Sequence, residues 1–324
     1  MLRYVLKRLL FIIPILVGVN LFTFVLFFIV NTPDDIARLH LGEKYVTEEA
    51  IEDWKEVRGY HYPVLYNQEA TGLSKVTDTI FFQKSLKLFA FEFGISDAGT
   101  DISHQINQRY LPSLAIAVPA LLVGLFVNIS FALLLVLFHR SLFDRSMTLM
   151  ALFLMSISAL FYIIGGQYLV ANIWRLVPIS GYEDGLSGIK FLILPVIVGV
   201  IGGIGSGVRW YRTIFLEEIT QDYVRTAKAK GLSDIEILFK HVLRNGFIPI
   251  LTGVVVILPL LFMGSLITES FFGIPGLGSY TIDAISQQDF AIVRSMVFLG
   301  AFLYCIGLIL TDISYTLVDP RVRF

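Results

Sequence analysis

Six long apolar runs alternate with short charged segments along this 324-residue chain. They are Leu9–Val30, Leu111–Phe138, Ser146–Trp174, Phe191–Val208, Asn245–Thr268 and Ser295–Thr311. A hydrocarbon core of roughly 30 Å takes about 20 apolar helical residues to cross. Each run therefore predicts a spanning helix, the last reaching full length only if Asp312 sits near its end. The pattern predicts an all-α membrane protein with six transmembrane helices, each satisfying its own backbone in lipid.

The segment between the fourth and fifth runs, Arg209 to Gly246, has its own helical grammar. Ile214, Phe215, Ile219, Tyr223 and Ala227 lie one or two turns apart. That stripe predicts a helix closing at Gly231, where glycine suits the left-handed residue of a helix end. Ser233-Asp234-Ile235-Glu236 then has the form of a capping box, in which serine and glutamate reciprocally satisfy the free amides of a new helix. The predicted second helix presents Ile235, Leu238, Phe239 and Val242 on one side. Such a short amphipathic helix rests either in the lipid interface or in a partner's groove.

Other patterns add detail. Val46, Ala50, Trp54 and Val57 recur at helical spacing before Gly59, predicting a small helical cap within segment 31–110. Gly199, Gly203 and Gly207, with Gly202 and Gly205 beside them, form a strip of small residues that lets another helix approach. Asn128 and Thr23 are read as hydrogen-bond partners between helices. The Gly273-Ile274-Pro275-Gly276-Leu277-Gly278 run is dense in helix breakers and, by itself, reads as a tight turn.

Composition agrees with lipid. Hydrophobic residues make up 56% of the chain and charged residues 16%, with a mean hydropathy of +0.74. Net charge is −1, but the cations are unevenly placed. Arg3, Lys7 and Arg8, then Arg140 and Arg145, seven in 209–244, and Arg321 and Arg323 fall on one side of the six spans. The short segments on the other side hold Arg175, Lys190 and Arg294. Short basic loops stay cytoplasmic, which predicts both termini inside and 31–110 outside. The first run is too long for a typical signal h-region and no small-x-small site follows it, so an uncleaved first span is expected.

Candidate chemistry is sparse. The five histidines share no ligand spacing, and Cys305 is the lone cysteine, so no metal site is expected. No glycine loop ending in Lys-Ser/Thr occurs, so the chain is not expected to hydrolyse ATP itself. Glu269 and Asp312 fall near predicted helix ends, where water or snorkelling serves them better than an ion-relay role. No catalytic residue, cofactor or nucleic-acid partner is expected.

The run Asp222-Tyr223-Val224-Arg225-Thr226-Ala227-Lys228-Ala229-Lys230-Gly231-Leu232-Ser233, followed by Lys240-His241-Val242-Leu243-Arg244-Asn245, resembles the signature loop of ATP-binding-cassette importer permeases. The likeness is to the B-type subunit of the oligopeptide/dipeptide/nickel branch. Phe93-Gly94-x-Ser96, Arg109 with Leu111-Pro112, Pro178-x-Ser180-Gly181, Phe272-x-x-Pro275-Gly276-Leu277-Gly278 and Asp319-Pro320-Arg321 are similar to it as well. The general loop begins Glu-Ala-Ala where Arg225-Thr226-Ala227 stands, and the third run lacks a proline at Ser158-Ala159-Leu160.

The resemblance implies a type I importer permease fold. It divides the chain into a start and first span (1–30), an extracytoplasmic segment (31–110), a permease core (111–318) with coupling loop 209–246, and a cytoplasmic tail (319–324). It implies that the helix after Gly231 couples to a separate ATPase. Ser233 with Glu236 would start that helix, and Ile235, Leu238 and Phe239 would fill the ATPase cleft. Tyr223, Thr226 and Ala227 belong to the same loop, and Arg225, Lys228 and Lys230 would make polar contacts. Pro275, Gly276 and Gly278 would form an outer gate. The implied partners are a second, related permease, two ATPase subunits that bind the ATP, an external solute-binding protein, peptide substrate and membrane lipid. The implied location is the bacterial inner membrane. A nickel-chelate or peptide-antibiotic importer of the same branch is the nearest alternative. A membrane-embedded enzyme would want clustered His, Asp, Glu or Cys at one face, and an ion-coupled carrier would want charges at span centres.

Overall fold

A computed structural model describes residues 2–42 and 46–318. The described residues are helical throughout apart from turns and one isolated bridge between Ile95 and Asp101. Among the described residues five helices are long and apolar enough to cross a membrane: Lys7–Val30, Ile102–Leu137, Leu186–Ile219, Asp234–Met263 and Phe290–Ser314. The third apolar run instead forms two helices, Leu142–Ser156 and Ala159–Ile173, bent by 89°. Counting that pair as one span gives six. The bend needs no proline. Ile157 and Ser158 are extended, and at the break the Leu154 carbonyl accepts both the Ile157 N–H at 3.3 Å and the Tyr162 hydroxyl at 2.7 Å.

The fifth run also departs from expectation. The helix ends at Met263 rather than Thr268, Gly264 turns the chain, and Leu266–Phe272 starts afresh with the Ser265 hydroxyl accepting the Thr268 N–H at 3.4 Å. The tail 319–324 lies outside the described residues.

The chain divides into two compact units, Met1–Arg109 with Tyr280–Ile309, and Tyr110–Ser279 with the segment that begins at Leu310. In the first unit Phe24, Phe28, Ile36, Ile51, Trp54, Tyr60 and Ile80 form an aromatic-rich core. Its predicted cap helix is Glu48–Arg58, started by Thr47 and closed by a left-handed Gly59. The buried face differs from the expected stripe: Ile51 and Trp54 are buried, while Val57 is 80% exposed. Thr23 bonds back to the carbonyl of Asn20 in its own helix, and it is Asn20 that reaches across to the Ser85 carbonyl at 2.8 Å. A polar knot ties the far ends of this unit together. Asp97 accepts the Tyr60 hydroxyl at 2.7 Å and the Ala291 N–H at 3.3 Å, while Asp289 accepts the Ala98 N–H at 3.1 Å.

In the second unit Leu142–Ser156 packs along Ile189–Ile219. The glycine strip is used unevenly. A Cβ at Gly205 would lie 2.6 Å from the Ala151 carbonyl oxygen and one at Gly207 would meet the Asn128 side chain at 2.5 Å, whereas Gly203 faces open space.

Candidate functional site

The charged segment after the helix Ile189–Ile219 folds onto a core of its own. The expected long helix is broken at Thr220-Gln221, and Asp222–Ala229 forms a separate helix. Gly231 has φ +82, the left-handed conformation that reverses the chain at little steric cost only for glycine. The capping box then forms: the Ser233 hydroxyl accepts the Glu236 N–H and the Glu236 carboxylate accepts the Ser233 N–H, both at 3.3 Å.

The helix that follows is not short. It runs from Asp234 through a π-helical stretch, Leu238–Val242, into Leu243–Ile257, so the amphipathic start and the fifth span are one continuous helical segment. This redistributes the apolar residues. Leu238, expected to enter a partner's cleft, is 2% exposed and packs with Val242, Ile237, Val224, Ala227 and Phe215 inside the chain's own core. Ile235 and Phe239 remain, each 57% exposed and four residues apart on the outer face. The buried row anchors the segment, and the exposed pair forms an apolar ridge.

Charged residues surround that ridge. Lys228 pairs with Asp234 at 3.0 Å across the Gly231 turn, and Arg225 with Asp222 at 3.3 Å. Lys230 is exposed. Thr226 bonds to the Asp222 carbonyl at 3.1 Å. The Tyr223 hydroxyl donates to Glu218 at 2.6 Å, and burial, with Glu218 adding to it, pushes the phenol up to about 12. It stays a neutral donor at physiological pH.

The Pro-Gly-Leu-Gly loop is organised by Glu269, which is 1% exposed rather than wetted at a helix end. Its carboxylate accepts the N–H groups of Ser265 at 3.1 Å and Ser279 at 3.0 Å. Gly278 N–H and the Ser113 hydroxyl also bond to it, and Ser113 in turn accepts the Leu277 N–H at 2.8 Å. A Cβ at Gly276 would overlap the Glu269 carboxylate, so glycine is required for the close approach. A largely apolar cavity of about 250 Å³ lies beside it, lined by Ser113, Ile116, Pro195, Leu260 and Glu269 among others. The sequence signal for this clasp is Ser265 and Glu269 framing a glycine-rich turn, but the partner Ser113 lies 164 residues from Leu277.

Long apolar helices on both sides of a capped polar segment define a multi-pass membrane protein. Residues 129–324 match the family described as binding-protein-dependent transport system inner membrane component, and residues 1–110 match the N-terminal region described for such membrane components. The chain belongs to this family and is a transport permease of the inner membrane. An oligopeptide transport system permease protein of Bacillus subtilis is 29% identical over 333 residues, covering 100% of both chains. Dipeptide transport system permease proteins of Bacillus subtilis and Escherichia coli are 26% and 28% identical, covering 100% of this chain and 98% and 99% of theirs.

Proposed function

We propose that this permease carries short peptides into the cell, working with ATPase subunits that supply the energy and an external protein that delivers the solute. The peptide assignment is supported by the names of the full-length relatives, which are peptide, dipeptide and oligopeptide permeases. In this reading six spans cross the membrane, the bent pair counting as one, with both termini cytoplasmic, 31–110 outside and 319–324 a cytoplasmic tail. A second, related permease completes the pathway. The chain holds no cofactor, and ATP is bound by its partners.

The observation that carries the coupling role is the ridge of Ile235 and Phe239, exposed above a fully packed base and fixed by Gly231 and the Ser233–Glu236 box. A rigid apolar ridge offers a groove area without a folding cost on binding, and Arg225, Lys228 and Lys230 supply charge at its margin. The continuous helix Asp234–Met263 gives a physical route for the stroke: pushing the ridge moves a spanning helix directly. Pro275, Gly276 and Gly278 act at the other face as an outer gate held by Glu269.

The test is the double substitution Ile235→Asp with Phe239→Asp in the assembled transporter. Membrane insertion should persist while the ATPases no longer co-purify and peptide uptake stops. Separately, Gly231 changed to a bulky residue should uncouple uptake from ATP hydrolysis. Normal uptake in both variants refutes the reading.

A further inference from the structure

A second concavity, of about 320 Å³, lies in the first unit and is lined by Arg58, Lys84, Lys87, Gln83 and Glu92 among others. That volume falls within the roughly 300–1,000 Å³ of small-molecule sites. Three cations face one carboxylate there. Among the described residues neither Lys84 nor Lys87 makes an ion pair. Arg58 is held in place, its Nε donating to the Asp97 carbonyl at 2.8 Å and its guanidinium lying 4.4 Å over the Trp54 ring. Lys84 sits 4.9 Å over the Tyr60 ring. A half-buried ammonium without a counter-ion is costly, and such charges are normally paired.

We propose that this concavity is a binding site for the carboxylate of a short peptide. The assignment of the carboxylate rests on the cation excess. That a peptide brings it rests on the proposed function. Lys84 supports the inference: burial, then the nearby charge of Arg294, lowers its ammonium to about 8, with Lys87 and Arg58 acting in the same direction and Asp97 opposing them. The site as it stands disfavours its own charge, and an arriving anion relieves that. Planar Arg58 can bond a carboxylate through two N–H groups, while the lysines act as point charges. Lys84 loses its charge as pH rises through about 8, so affinity falls above that pH.

The test uses the purified full-length chain in lipid nanodiscs, with dialanine, dialanine amide and acetate as calorimetric probes. Dialanine should bind, and amidation or Lys84→Gln or Lys87→Gln should each weaken it about tenfold or more, the scale of one charged hydrogen bond. Lys75, which is half-buried, lies outside the concavity, and Lys75→Gln should change nothing. The proposal is overturned if dialanine does not bind, if its amide binds equally well, or if Lys84→Gln leaves binding intact. Acetate binding with no gain from dialanine overturns the peptide part. A complex that imports no peptide while Lys84-dependent dialanine binding persists sinks the functional reading and leaves this one standing.

Discussion

The carboxylate of Glu269 accepts the backbone N–H of Ser279 at 3.0 Å, closing a ten-residue loop on itself. The same carboxylate accepts the Ser265 N–H at 3.1 Å. One buried side chain thereby ties the start of the helix Leu266–Phe272 to the residue that follows the Pro-Gly turn.

Glu269→Ala should therefore loosen the loop before it unfolds the bundle. Each buried N–H left without an acceptor costs about 1–3 kcal/mol. Hydrogen–deuterium exchange should speed up at Ser265, Ile274 and Ser279, with the helix Ile189–Ile219 unchanged. Unaltered protection across 265–279 would show that the carboxylate does not hold the loop.

The glycines of the fourth span should differ sharply among themselves. Gly205→Ala forces a Cβ to 2.6 Å from a backbone oxygen, which only a helix shift can relieve. Overpacking of this kind costs about 1–3 kcal/mol. Gly207→Ala should cost less, because the Asn128 side chain in its way can rotate. Gly203→Ala meets nothing within 4 Å and should be neutral. Melting temperatures in detergent check that order, and a Gly203→Ala variant as unstable as Gly205→Ala contradicts it.

How much of this was legible beforehand follows from the range of the interactions. The capping box, the Gly231 turn and the Glu48–Arg58 helix depend on residues three or four apart, and the sequence carries them in full. The face that each helix buries does not. Ile235 and Leu238 are equally apolar in sequence, yet only Leu238 meets the core, because contact with Phe215 and Val224 is set by tertiary packing. The bend at Ile157-Ser158 is hidden for a similar reason, since the Tyr162 hydroxyl that bonds across it to the Leu154 carbonyl belongs to the next helix. The burial of Glu269 is not legible either, because a carboxylate near a helix end is usually wet and nothing local announces that Ser113 will cover it.

Arg212 and Asp144 form a two-point ion pair, Nε to Oδ1 at 2.9 Å and Nη2 to Oδ2 at 2.8 Å, between the helices Ile189–Ile219 and Leu142–Ser156. Asp144 is buried and also accepts the Arg140 N–H at 3.1 Å. Asp144→Asn leaves a partly buried guanidinium without its counter-charge, and breaking such a pair costs about 3 kcal/mol. Asp144→Asn combined with Arg212→Gln should recover part of that loss, and a double-mutant cycle measures the coupling. Strict additivity of the two single losses would mean that the pair is not energetically linked.

Ser233→Ala removes a capping hydroxyl while leaving the apolar core beneath it intact. Loss of such an N-cap costs about 0.5–2 kcal/mol, expressed where the helix begins. Exchange at Glu236 and Ile237 should accelerate, and Ser233→Thr or Ser233→Asp should restore slow exchange because either side chain offers the same acceptor. Leu238 and Val242 remain packed, so the span below should keep its melting temperature. The ridge of Ile235 and Phe239 would then sit on a fraying first turn. Transport driven by ATP should fall in step with the exchange rate and recover in the rescued variants. If exchange rises but transport holds, the first turn can fray without loss of coupling, and the stroke enters the chain elsewhere.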